Sequence, residues 1–359
     1  MERVSVRPDL TYSNCPVPNA LLLVLERFQG ELERRGLRFS LLPPDQAEVH
    51  FTFAHPRYFR FGGEIPPLIS EGVRAPGRTR LIGLTRCRTR QGFFVLPDSD
   101  IVEPADLKGK RIGLTPNAIQ VLRRLEGISY ETMRPWEQTQ LALGTWEARA
   151  LIHTLSKAGL APADVEWIPV PNPWAAHAHQ AARTSSSFAP QDLFPDAASP
   201  EGNAQVAALV ERRVDAIFSF LPYAAELELR GTARLVLDLS QFPENDYVST
   251  WTVSRQLVEE EPEVVQMVVQ LAVEAGRWAM SHPDDVGAIH AENLGVSVEA
   301  VWRAFGPHFH EQLVPRLDPE LIATLDRTQA FLLEHNLLPQ AVELDEWIEP
   351  GFLQSAVRC

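Results

Sequence analysis

Thr11-Tyr12-Ser13-Asn14-Cys15-Pro16-Val17-Pro18-Asn19-Ala20-Leu21 joins a β-prone run to a periodic apolar one. Pro16 and Pro18 disfavour the α region at Cys15 and Val17, so the chain stays extended through the cysteine. Pro18-Asn19 can then open a helix, because proline is tolerated in a first turn. Ala20 to Leu25 supplies the buried face of that helix and Glu26 to Arg35 its polar face. The stretch reads strand, turn, helix, with Cys15 at the carboxyl end of the strand. Open α/β sheets bind ligands at that edge, and a helix N-terminus lowers a thiol's pKa. A lone cysteine is also an ordinary small core residue. Residue type alone favours the core reading; the proline-flanked turn brings the two level.

Strand and helix alternate outward from this turn as far as residue 240. Arg38–Leu42, Glu48–Phe53, Arg78–Thr85 and Gln91–Leu96 read as strands. After a composition change at Pro97-Asp98-Ser99-Asp100 come a helical turn at Pro104–Leu107, a strand to Leu114 and a helix at Asn117–Leu125. Gln138–Leu143 reads as strand, with Gly144-Thr145 capping a helix from Trp146 to Lys157. Val165–Pro169, Val214–Phe218, Arg234–Leu239 and Tyr247–Val253 are further strands, with helices at Val206–Arg213 and Pro222–Leu229. Pro171–Ala198 reads as a long loop. From Leu257 helices dominate, at 257–281, 284–293, 297–305 and 318–336. Such alternation argues for doubly wound parallel sheets.

The chain has 359 residues, more than one core usually organises, so two α/β lobes are expected. The expected division is 1–98 as the first part of lobe 1, 99–240 as lobe 2, and 241–359 as a return to lobe 1 with C-terminal helices. A net charge of −14 argues against nucleic acid or an anionic membrane as partner. An acidic protein that takes an anion needs a local cationic cluster. Cys15, Cys87 and Cys359 form no disulfide framework and fit free thiols in a reducing compartment. Met1–Arg7 lacks an apolar signal core, so a cytoplasmic protein is expected.

The order of elements resembles the type II periplasmic-binding-protein fold, in which two α/β lobes clasp a ligand. Longer motifs resemble the aromatic sulfinate desulfinases that end dibenzothiophene desulfurisation. They are Thr11–Leu21, His50-Phe51-Thr52, Arg60-Phe61-Gly62-Gly63-Glu64-Ile65-Pro66-Pro67-Leu68, Arg74–Arg80, Trp146–Ala150, Asp192–Asp196, Leu294–Ser297 and Leu313–Asp318. The resemblance spans nearly the whole chain. It implies hydrolytic release of sulfite from 2'-hydroxybiphenyl-2-sulfinate to leave 2-hydroxybiphenyl, with no cofactor, no metal and a small aromatic sulfinate as the sole partner. A monomer is expected. The resemblance places catalytic roles on Cys15, His50 and Arg60, and substrate contacts on Ser13, Gly63, Phe51, Leu143 and Trp146. Pro171-Asn172-Pro173-Trp174, Phe53 and His55 depart from the family pattern, which implies an altered pocket rim.

The chemistry suits these residue types. A sulfinate is a monoanion with two acceptor oxygens, and Arg60 offers a planar fork that never deprotonates. Gly62-Gly63 can add backbone N–H donors. Cleaving an aryl carbon–sulfur bond needs a proton at the ring carbon, because a bare aryl carbanion is too basic to depart. Cys15 can donate that proton as a thiol, or its thiolate can attack sulfur. His50 would set the thiol's protonation, unless it is a core histidine on a strand. His177 with His179, and His308 with His310, lack the third ligand that a metal site needs. The alternative function is a cytoplasmic small-solute binding protein of the same fold. A thiamine-pyrimidine enzyme is a third reading, without the cysteine-rich motif that marks it.

Overall fold

The computed structural model describes residues 9–15, 17–43, 46, 48–124, 135–171 and 198–358, with side chains described at all of these except 14, 124 and 135–143. Among the described residues, ten strands form two five-stranded sheets. The first holds β1 (Leu10–Asn14), β2 (Phe39–Leu41), β3 (Tyr58–Gly63), β4 (Thr79–Cys87) and β10 (Tyr247–Ser254), in the order β2-β1-β3-β10-β4. The second holds β5 (Gln91–Val95), β6 (Arg111–Leu114), β7 (Glu166–Pro169), β8 (Ala216–Phe220) and β9 (Arg234–Leu235), in the order β7-β6-β8-β5-β9. The chain is thus an α/β protein with two sheets and a helical C-terminal part.

Each sheet departs from the all-parallel expectation by one strand. β10 runs antiparallel to β3 and β4, and β5 runs antiparallel to β8 and β9. These are the two strands by which the chain arrives from the other sheet. It leaves β4 at the carboxyl edge of the first sheet and starts β5 at the edge facing it. The return from β9 to β10 repeats the manoeuvre. The carboxyl edges of β1 and β3 therefore face the second sheet. The first crossing, Cys87 to Gln91, precedes the composition change at Pro97–Asp100.

The crossings are cross-linked. Arg88 grips Asp246 through Nε at 3.1 Å and Nη2 at 2.8 Å, and Gln91 Nε2 donates to the Asn245 carbonyl at 3.1 Å. Arg90, within the same crossing, ties Glu228 and Asp238.

Three segments differ from the sequence reading. Val49–Thr52 is one helical turn, not a strand. Its alternation is that of Phe51 and Phe53 both turning inward, and Phe53 ends the turn in the left-handed region at φ 44°. The segment joins neither sheet, and β1 takes β2 on one side and β3 on the other. Residues 138–143 lie within a single helix, Pro135–Ser156, with Gly144 inside it rather than at a cap. A Cβ on Gly144 would stand 2.2 Å from the Asn117 carbonyl carbon, so glycine serves a close crossing of two helices. The expected helix 257–281 is split into Arg255–Glu260 and Pro262–Ala279, with Pro262 starting the second. Residues 172–197, most of the expected loop, fall outside the described residues, as do Leu125 and Cys359.

One core lies between the first sheet and helices Ala20–Arg27, Pro262–Ala279, Pro283–Leu294 and Val298–Phe305, centred on Phe59, Phe61 and Trp251. A second binds both sheets together through Phe93, Leu151, Leu321 and Trp347. No described helix is long and apolar enough to cross a membrane.

Candidate active site

One face of the first sheet is polar where a core would be apolar. Side chains two apart on a strand share a face. Ser13 pairs with Arg60 across β1 and β3, and Thr252 pairs with Arg60 and Thr250 with Gly62 across β3 and β10. Ser13, Cys15, Tyr58, Arg60, Gly62, Thr250 and Thr252 therefore form a polar seam. Tyr12, Phe59, Phe61 and Trp251, on the opposite face, are core.

Cys15 follows β1 immediately and its N–H donates to the Phe61 carbonyl at 3.1 Å, which fixes it beside the end of β3. Asn19 caps the next helix, its side chain accepting from Leu22 N–H at 3.1 Å, so that helix starts at Ala20 and not at Pro18. The strand-to-helix turn read from the sequence is present, and Cys15 is half-buried in it.

Arg60 is 1% exposed, and no carboxylate among the described residues lies within ion-pair distance of it. Its Nη1 donates to the Gly63 carbonyl at 2.9 Å and stands 3.4 Å from Thr250 Oγ1, while Nη2 stands 3.9 Å from Cys15 Sγ. Nε has no partner. Burying a guanidinium without an acid is costly unless an anion completes it. The fork thus presents unused N–H capacity beside a thiol. The Gly63 carbonyl, rather than its amide, is the group that meets Arg60.

Gly62 permits this approach. A Cβ there would stand 2.3 Å from Cys15 Sγ and 2.7 Å from its Cβ. Tyr58 hydroxyl donates to Ser13 Oγ at 2.7 Å, so Ser13 is held by a neighbour under the site. Burial pushes the Tyr58 hydroxyl far above its ordinary range. Phe53 packs edge-on against Tyr58, 5.1 Å between centroids, and His55 Nε2 meets Thr11 Oγ1 at 3.2 Å. Both departures from the family pattern touch the strands that carry the seam.

His50 lies on the one-turn helix. Burial first, and then the Arg60 charge, push its pKa down to about 3, so the ring is neutral through the physiological range. It interacts with Arg60 but is not a group that titrates near neutrality. Trp146 rises from Pro135–Ser156 to cover Gly63; a Cβ on Gly63 would stand 2.6 Å from the indole Cζ2. Phe51 is buried in the second core with Ile65 and Leu68. The side chain of Leu143 and residues His177, His179 and Trp174 lie outside the described residues. His308 pairs with Glu311 at 2.9 Å.

Five expected residues, Ser13, Cys15, Arg60, Gly63 and Trp146, thus meet in one place, with His50 within electrostatic reach. Tyr58 and Thr250 are not singled out by the sequence reading, and Gly62 enters it only as an N–H donor, not as the close-approach point for Cys15. The spacing Tyr58-x-Arg60-x-Gly62 carries the signal for two of them, because it puts all three on the face of the candidate arginine.

No family model matches the chain. Two curated relatives, the 2'-hydroxybiphenyl-2-sulfinate desulfinases of Rhodococcus erythropolis and Rhodococcus qingshengii, are each 50% identical over 353 residues, 98% of this chain and 94% of theirs. A crystal structure of the desulfurization enzyme DszB superposes with a TM-score of 0.88 at 50% identity, covering 98% of this chain and 99% of that one. A cysteine-to-serine variant of DszB in complex with biphenyl-2-sulfinic acid matches with the same TM-score at 49% identity, with the same coverage. The periplasmic sulfonate-binding protein SsuA of Methylobacillus flagellatus shares the fold, with a TM-score of 0.64 at 17% identity over 99% of this chain and 95% of its own. Identity of this extent, along both chains, means that this protein belongs to the family of 2'-hydroxybiphenyl-2-sulfinate desulfinases.

Proposed function

We propose that the protein cleaves the carbon–sulfur bond of 2'-hydroxybiphenyl-2-sulfinate, releasing sulfite and 2-hydroxybiphenyl, with Cys15 as proton donor. The observation that carries this reading is the buried Arg60 fork, with no described carboxylate within ion-pair distance and 3.9 Å from Cys15 Sγ. Arg60, with the Gly63 amide, holds the sulfinate oxygens and sets the ring carbon against the thiol. The thiol proton passes to the ring carbon, and the carbon–sulfur electron pair becomes the new carbon–hydrogen bond. Sulfur dioxide leaves and adds water, giving bisulfite and one proton, which returns to the Cys15 thiolate. No carbanion has to depart. Neutral His50 orients the thiol and adds no positive charge. Trp146 supports the aryl rings, and Phe51 and Leu143 are the further apolar contacts of this reading. The free thiols and acidic composition support a cytoplasmic enzyme, acting as a monomer.

Single-turnover rates with substituted aryl sulfinates test the proton's role. Protonation builds positive charge on the ring, so donating substituents speed the chemical step. Acceleration by withdrawing groups, or a Cys15 adduct in the mass spectrum of the quenched reaction, would assign attack at sulfur instead.

A further inference from the structure

Behind the Trp146 wall lies a small cavity of about 10 Å³, lined by Gln91, Trp146, Arg149, Ala150, Asn245 and Tyr247. Gln91, Arg149, Asn245 and Tyr247 are all buried. Three buried N–H groups of these lining residues have no hydrogen-bond partner among the described residues: Trp146 Nε1, Asn245 Nδ2 and Arg149 Nε. The Tyr247 hydroxyl, beside the Cys87 thiol, has no conventional partner either. The remaining polar atoms nearby are engaged. Gln91 Nε2 donates to the Asn245 carbonyl, Asn245 Oδ1 meets His153 Nδ1, and Arg149 reaches Thr328 Oγ1 and the Glu244 carbonyl.

Buried donors without acceptors are costly, about 1–3 kcal/mol each. A space of roughly 10–15 Å³ with two to four polar partners holds one water. The unpaired nitrogens all donate, so the occupant must accept, and a cation is excluded. Water and a halide both accept. Arg149 already feels the carboxyls of Glu64, Asp246 and Glu244, which makes a further anion there unnecessary.

We propose that this cavity binds a single water that bridges Trp146 Nε1 to Asn245 and thereby fixes the indole that walls the substrate pocket. The role follows from the double duty of Trp146, whose ring lies over Gly63 while the residue, with its buried unpaired N–H, lines the cavity. Asn245 stands on the segment by which the chain returns to the first sheet, so the water ties the pocket wall to the crossing. Asn245 is a positioning residue here and touches no reacting atom. The inference rests on the functional reading above only for the pocket role of Trp146.

The test combines a crystal structure of the full chain with three variants. The structure is expected to show one water about 3 Å from Trp146 Nε1 and from Asn245. Asn245→Leu removes the partner at similar size and raises KM for 2'-hydroxybiphenyl-2-sulfinate about fivefold, the effect of one net hydrogen bond, with kcat nearly unchanged. Asn245→Asp restores KM, because water can donate to the new carboxylate whereas a halide cannot. His153→Phe, which removes only the His153–Asn245 bond, leaves KM at the wild-type value. A bromide anomalous peak in the cavity, no density there, or an unchanged KM in Asn245→Leu would overturn the proposal. Failure of the wild-type protein to release sulfite would instead overturn the functional reading and leave the density result standing.

Discussion

Gly62 is the residue on which the approach of Cys15 to Arg60 depends. An alanine there would put its Cβ 2.3 Å from the thiol sulfur, so Cys15 must move away. Misplacing a reacting group by about 1 Å costs roughly 100-fold in rate, and Gly62→Ala is expected to lower sulfite release by at least that factor. Its far-ultraviolet circular dichroism should stay native; activity within about threefold of wild type would mean that the thiol does not need this position. Cys15 and Arg60 were legible beforehand because prolines, glycines and aromatics around them constrain backbone and surroundings. His50 reads from the sequence as setting the thiol's protonation, whereas burial and the Arg60 charge push its pKa down to about 3. Its desolvation and its exposure to the Arg60 charge come from packing, which residue spacing does not report.

The element scale is where the sequence reading failed most. Gln138–Leu143 and Gly144-Thr145 suggested a strand and a cap, whereas one helix runs from Pro135 to Ser156. Gly144 weakens a helix locally, yet here it lets Pro116–Arg124 cross at backbone contact. A helix–helix crossing involves a partner distant in sequence, so local pattern cannot reveal it. The atoms that an added Cβ would meet are the backbone of Asn117 and Ala118, which cannot rotate aside. Gly144→Ala is therefore expected to destabilise by about 3 kcal/mol, in the upper range for overpacking. Urea denaturation checks this; a loss below about 0.5 kcal/mol, the scatter of surface substitutions, would mean that the helices separate freely. Val49–Thr52 failed for a related reason, since pairing slots in a sheet are allotted by the whole topology.

At the scale of the molecule, segments far apart in sequence meet around a buried acid. Glu64 follows the Gly62-Gly63 pair and is fully buried; Thr328 donates to its Oε1 at 3.0 Å, and Oε2 has no partner among the described residues. Burial pushes its pKa up from 4.5 to about 7, against the opposing pull of Arg149 and Arg60. Between those two values the folded chain holds a proton that the unfolded chain has lost, so this group's contribution to stability falls as pH rises through the interval. Glu64→Gln removes that dependence. The melting temperature of the variant relative to wild type is expected to rise by several degrees from about pH 5 to about pH 8. A difference that stays constant with pH would show Glu64 to be ionised throughout. The two-lobed α/β architecture was legible from the alternation of strands and helices. The antiparallel strands β5 and β10 were not, because their direction follows from where the chain crosses between sheets.

The central claim is that Cys15 beside Arg60 performs aryl desulfination. Its most direct test is sulfite release from 2'-hydroxybiphenyl-2-sulfinate by the wild-type protein and by Cys15→Ser. The wild type should release sulfite and 2-hydroxybiphenyl in equal amounts. Cys15→Ser should bind the sulfinate with little change in affinity and release no sulfite above the uncatalysed background. Turnover by Cys15→Ser near the wild-type rate would contradict the account.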